Sequence, residues 1–192
     1  MMNTQSSPTI VDMKVIPVAG HDSMLLNIGG AHSAWFTRNI VVLTDNAGNT
    51  GVGEAPGGDV IYQTLVDAIP LVLGKEVARL NNVVQQVHKG NQAADFDTFG
   101  KGAWTFELRV NAVAALEAAL LDLLGKALNV PVCELLGPGK QRDAVTVLGY
   151  LFYIGDRNKT DLPYLDATPG HHEWYHLRHQ EALSSEAVVR LA

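Results

Sequence analysis

Cysteine is nearly absent: Cys133 is the single one in 192 residues. That excludes an internal disulfide and a thiolate metal cluster, and a lone cysteine reads as a small buried apolar side chain. Charge is also sparse and leans one way, with 18% of residues charged and a formal net charge of −6. Phosphate backbones are gripped by Lys and Arg gathered on one face, and no such cluster occurs, so a nucleic-acid partner is excluded. No stretch approaches the roughly 20 apolar residues of a membrane span, which argues against a membrane partner. The first twenty residues, MMNTQSSPTIVDMKVIPVAG, lack the basic start and unbroken apolar run of a signal peptide. A cytoplasmic location is expected, and no internal repeat is visible.

What is present is enough apolar residue, 47% of the chain, to bury a core. Val11, Met13 and Val15 alternate with Asp12 and Lys14, as in a strand with one buried face. Residues Ile40 to Leu43 and Thr50 to Glu54 flank the turn-rich run Asp45-Asn46-Ala47-Gly48-Asn49, so a hairpin is expected there. Together these give a three-stranded antiparallel meander. Asp59 can cap a helix carrying Ile61, Leu65, Ala68 and Ile69, with Pro70 as a kink and Gly74 as a stop. A second apolar stripe follows at Val77, Leu80, Val84 and Val87.

The strongest helical pattern runs from about residue 108 to 128, where Val113, Leu116, Leu120, Leu123 and Ala127 recur at spacings of three and four. Asn129 and Pro131 end it. After Gly137-Pro138-Gly139, residues 144 to 154 read AVTVLGYLFYI, apolar on both faces, as suits a strand covered from both sides in a parallel sheet or barrel. Two loops look longer than a compact fold requires, residues 19 to 37 and 89 to 104. The first carries Gly29, Gly30 and His32 beside Trp35 and Phe36, the ingredients of a lid. Taken alone, His32 reads as an ordinary surface or capping histidine. The fold class is α+β.

One local motif competes for function. His172-Glu173-Trp174-Tyr175-His176 spells H-E-x-x-H, which on a helix sets two imidazoles on one face for zinc. It follows Pro169-Gly170 and lacks a glycine-and-histidine continuation, so a zinc protein is the minor alternative.

Several long blocks in order carry a family likeness: VIPVAGHDSMLLNIGGAH, FTRNIVV, GNTGVGEAPGG, TFELR, EAALLDLLG and LGYLFYIG. In these the chain resembles the glucarate dehydratases of the enolase superfamily. The resemblance implies an N-terminal capping domain, a three-stranded meander followed by helices over residues 1–140, and the first strand and start of the first helix of a TIM-type barrel, truncated, over 141–192. It also implies a lyase reaction, Mg-assisted removal of a proton next to a carboxylate of D-glucarate or an epimer, giving 5-keto-4-deoxy-D-glucarate. The completed protein would be a homo-oligomer.

In the family the bases, including a Lys-x-Lys pair, and the metal ligands sit on later barrel strands. This chain has no Lys-x-Lys, so no catalytic or metal residue is expected within it, and a non-catalytic ligand- or subunit-binding cap is a further alternative. The resemblance places substrate-binding roles on the histidine of GGAH, His32, the threonine of TFELR, Thr105, and the tyrosine of LGYLF, Tyr150. Thr105 could instead be the N-cap of the long helix, with Glu107 in its first turn, and Tyr150 a core residue. Arg38 and Arg109 read as ion-paired or exposed, and Glu54 as a strand end.

Overall fold

The computed structural model describes residues 7–28, 31–92, 103–149, 151–156, 176–177 and 180–192. The chain divides into two compact units. The first comprises residues 1–18 and 37–143, the second residues 19–36 and 144–192.

The first unit has the expected meander. Strand β1 (Ile10–Ile28), β2 (Ala31–Asp45) and β3 (Thr50–Pro56) are joined in that order, β2 and β3 antiparallel in a register that sets Val42 opposite Val52. The β2–β3 turn is built by Asp45, whose buried carboxylate accepts from the Ala47 and Asn49 N–H groups at 2.9 and 2.8 Å and from the Asn49 amide at 2.9 Å. Gly48 closes the turn at φ 88, a conformation that favours glycine. Asn46 then ties the turn to the start of β1, donating to the Thr9 carbonyl at 2.9 Å and accepting from the Thr9 N–H at 3.0 Å.

Helix α1 (Asp59–Val72) buries Ile61, Leu65, Ala68 and Val72. Gly58, at φ 111, takes the N-cap position, so Asp59 lies in the first turn and favours the helix dipole without capping it. Pro70 sits in the last turn and Gly74, at φ 75, follows the end. A 3-10 turn at Val77–Arg79 leads into α2 (Leu80–Gln92), whose Val83 and Val87 are buried. The stretch 89–92, expected as loop, is therefore helix.

Helix α3 (Ala103–Leu128) starts five residues earlier than the spacing predicts. Thr105 is thus its third residue and not its N-cap, and Glu107 lies beyond the first turn. Its buried face is Ala112, Ala115, Leu116, Ala119, Leu120 and Leu123, the i, i+3, i+4, i+7 pattern of a helix packed on a sheet. The opposing face of β3 is equally small: Gly51, Gly53 and Ala55 point inward. A Cβ on Gly53 would run into the Ala115 carbonyl and one on Gly51 into the Leu123 side chain, so these glycines let the helix backbone approach the strand. Asn129 ends α3 at φ 57, with Val130 N–H donating to Gly125 O at 2.8 Å and Asn129 N–H to Lys126 O at 3.2 Å. This is a Schellman ending, with asparagine in the place usually held by glycine.

Three further expectations need correction. Residues 19–37 are not a long loop: β1 continues to Ile28 and β2 begins at Ala31. Pro17 and Gly20 have poor strand propensity, but cross-strand packing overrides it, the Phe36 ring occupying the space where a Gly20 Cβ would lie. Among the described residues of 144–154, strand occurs at β4 (Tyr153–Ile154) alone. Val145, Val147 and Leu148 are 73%, 87% and 72% exposed, because a strand apolar on both faces needs sheet neighbours and cover on each side. Cys133 is exposed, not buried.

In the second unit β4 pairs antiparallel with the far part of β1, Leu26 opposite Ile154 and Asn27 opposite Tyr153. Ile154 also exchanges both backbone hydrogen bonds with Ala182, at 3.1 and 2.9 Å. Helix α4 (Ser185–Leu191) follows, N-capped by the Ser184 hydroxyl, which accepts from Ala187 N–H at 3.2 Å. Ile154, Ala182 and Ala187 form a small apolar cluster with Leu191.

Candidate functional site

His32 lies near the start of β2, on the same hairpin whose β1 arm carries Leu25, Leu26 and Asn27. Beside that arm runs the stretch that follows Tyr150: Gly155 N–H donates to Leu25 O at 2.7 Å, and β4 adds its two-residue pairing. Ladder hydrogen bonds thus fix the chain just beyond Tyr150 against the hairpin that bears His32, both within the second unit. The side chain of His32 and the whole of Tyr150 lie outside the described residues, as does the side chain of Thr105. Thr105 belongs to the first turn of α3, in the first unit. No described contact brings the three together.

The motif His172-Glu173-Trp174-Tyr175-His176 falls outside the described residues except for His176, which is exposed and helical with Leu177. Among the described residues no group of three His, Cys, Asp or Glu side chains could hold a metal ion. The chain's described part therefore offers no fit for a divalent cation.

The described polar side chains buried in the first unit are spent on structure. Its buried polar residues among those described are Asn39 and Asp45. Asn39 donates from its amide to the Pro56 carbonyl at 3.0 Å, and Asp45 is saturated by its own turn. Arg38, read from the sequence as ion-paired or exposed, donates from Nε to Glu54 Oε1 at 2.8 Å, and Glu54 sits near the end of β3. A polar groove of about 220 Å³ between Lys75, Glu76, Arg79 and Gln86 has Glu76 and Arg79 engaged with each other at 2.8 Å.

Among the described residues two carboxyl groups are perturbed, both toward ionisation. Burial pushes Asp122 up, but hydrogen bonds from Lys126 and the Val52 N–H, with the Lys126 charge, outweigh it and hold the carboxyl below its usual value. Glu186 is held down by its own backbone N–H and by the Ser184 hydroxyl. A general acid needs the opposite shift, so neither is poised for proton transfer at neutral pH.

The family model for the N-terminal domain of mandelate racemase / muconate lactonizing enzyme matches residues 18–137. A probable glucarate dehydratase from Streptomyces coelicolor is 36% identical over 152 residues, covering 76% of this chain and 35% of that protein. A D-galactonate dehydratase from Variovorax paradoxus is 38% identical over 86 residues, 45% of this chain and 19% of that one. Among solved structures, an enolase from Pseudomonas fluorescens with bound magnesium, potassium and tartrate superposes with a TM-score of 0.78 at 29% identity, over 97% of this chain and 42% of that one. An enolase from Mycobacterium smegmatis complexed with tartrate gives 0.73 at 27% identity, over 100% and 41%. The chain spans about a third of the first of these curated relatives and less of the second. The meander, the helices packed on it and the matched residues make one conclusion: this chain belongs to the mandelate racemase / muconate lactonizing enzyme family of the enolase superfamily, through its N-terminal capping domain.

Proposed function

We propose that this chain supplies the substrate-gripping cap of an acid-sugar dehydratase, with D-glucarate or an epimer as substrate. The observation that carries the reading is the 36% identity to the probable glucarate dehydratase over 152 residues. Galactonate and mannonate dehydratases among the relatives support the same substrate class, and tartrate bound in two structural neighbours is a small hydroxy-dicarboxylate of related chemistry. In this reading residues 1–140 are the cap, and 141–192 are the first strand and the start of the first helix of a β/α barrel.

His32, Thr105 and Tyr150 hydrogen-bond hydroxyls or a carboxylate of the acid sugar. They orient the substrate and move no proton. Magnesium, the ion in the Pseudomonas fluorescens enolase, would stabilise the oxyanion that develops when a proton leaves the carbon beside a carboxylate. The described residues hold no ligand set for it, so the chemistry proper is assigned to none of them.

The test is made in an enzyme completed with the barrel of a glucarate dehydratase. His32→Ala and Tyr150→Phe should each lower kcat/KM on D-glucarate by roughly ten- to a hundredfold, the loss of a hydrogen bond to a partly charged group, with magnesium affinity unchanged. Full kcat/KM in both variants would reduce the cap to scaffold. A polypeptide of these 192 residues alone should not turn over D-glucarate with magnesium present, and turnover free of host enzyme would overturn the assignment.

A further inference from the structure

Strand β1 passes through Gly20, a residue with no side chain to pack and more backbone freedom to lose than any other, so the strand is weakest there on local grounds. The neighbouring strand β2 supplies what is missing. A Cβ on Gly20 would overlap the Phe36 ring at Cε2 and Cζ and stand 3.0 Å from Cδ2, so the ring edge fills the place of the absent side chain. Gly20 and Phe36 both belong to the second unit.

Burial does not account for this phenylalanine. Phe36 is 44% exposed and belongs to neither apolar cluster of the described residues, so it adds little to a core. An aromatic ring laid over a glycine of the adjacent strand instead stiffens the pairing at the point where the glycine would let it bend. Beyond that point the two arms of the hairpin continue to Ile28 and back from Ala31, and the second arm carries His32.

From Phe36 to His32 is four residues of β2, about 13 Å along the strand. Over that lever a tilt of roughly 5° moves residue 32 by about 1 Å, and a misplacement of about 1 Å can cost on the order of a hundredfold in rate. We propose that Phe36 is a positioning residue, its ring seated over Gly20 to fix the outer arms of the hairpin and, through them, the place of His32. It touches no substrate. The inference rests on the substrate-binding role proposed for His32.

In the enzyme completed with a glucarate dehydratase barrel, Phe36→Ala should lower kcat/KM on D-glucarate about three- to tenfold, and Phe36→Tyr, which keeps the ring, should retain it. Added to His32→Ala, the same Phe36→Ala change should cost less than about twofold more, because a residue that acts through His32 has nothing left to position. In the 192-residue chain, hydrogen exchange at the amides of residues 24–28 should quicken about tenfold in Phe36→Ala while Val41 and Leu43 keep their protection, which also shows that the variant folds. Full kcat/KM in Phe36→Ala, an equal loss with and without His32, a Phe36→Tyr variant as impaired as Phe36→Ala, or unchanged exchange at 24–28 overturns the inference and leaves the role of His32 standing. Lost protection at Val41 and Leu43 would make Phe36 a residue of the fold at large and overturns it too. Full kcat/KM in His32→Ala overturns the role of His32 itself, and this inference with it.

Discussion

At the scale of residues, Asp122 shows how one surface carboxylate closes a sheet. Its Oδ2 accepts from the Val52 N–H at 2.9 Å, and from Lys126, whose ammonium also reaches the Thr50 carbonyl at 2.7 Å. Strand β3 is the sheet's edge, and an edge with free N–H and C=O groups invites another strand. Because the folded carboxyl titrates below its ordinary value, the stabilisation it adds is complete above that value, near 3.8, and is lost as pH falls through the folded value. Asp122→Asn should cost about 0.5–1 kcal/mol at neutral pH and progressively less as the pH falls below the ordinary carboxylate value, checked by denaturant melts across that range. Of the candidate site, the sequence supplies only its proposed members. His32, Thr105 and Tyr150 came from blocks shared with a family, not from a local pattern that dictates binding. Asn39, a buried amide holding the Pro56 carbonyl, gave no signal, since a lone asparagine before an apolar run looks like any strand start.

Among elements, β3 and α3 meet closely, small residues facing small residues. Gly53→Ala should destabilise the fold by about 1–3 kcal/mol, because the new methyl can be admitted only if the α3 backbone retreats from Ala115. Val52→Ala on the opposite face should cost much less, and thermal melts of the pair separate packing from strand propensity. The sequence made the leucines of α3 visible through their spacing. It hid Ala112, Ala115 and Ala119, because alanine is at home on either side of a helix and only the glycines opposite reveal which side is close-packed. The meander was legible from alternation and from the Asp45–Asn49 turn. The hairpin extension to Ile28 was not, since His21, Asp22 and Ser23 between Gly20 and Met24 read as loop until the partner strand is known. The apolar run 144–154 misled in the other direction, because period and composition report what a segment needs, not whether neighbours supply it.

For the whole molecule, the two units differ in the apolar clusters that their described residues form. The first has a core drawn from three strands and three helices, including Ile10, Leu43, Leu65, Leu116 and Leu120, whereas the second has the cluster around Ile154, Ala182 and Ala187. Native-state hydrogen exchange should find the amides of Val41 and Leu43 protected up to global unfolding. Those of Ile154 and Ala182 should exchange through a cheaper local opening, and equal protection would show that the units unfold as one. The Asp45 turn carries a consequence in time as well. Its carboxylate organises the reversal from Asp45 to Asn49 using partners at most four residues away, so β2 and β3 can meet before anything distant is in place. Asn46 grips Thr9 across 37 residues, a closure that must wait. Asp45→Ala should therefore slow refolding far more than it speeds unfolding, whereas Asn46→Ala should chiefly hasten unfolding, and the two arms of each variant's chevron plot would show the order in which this chain assembles itself.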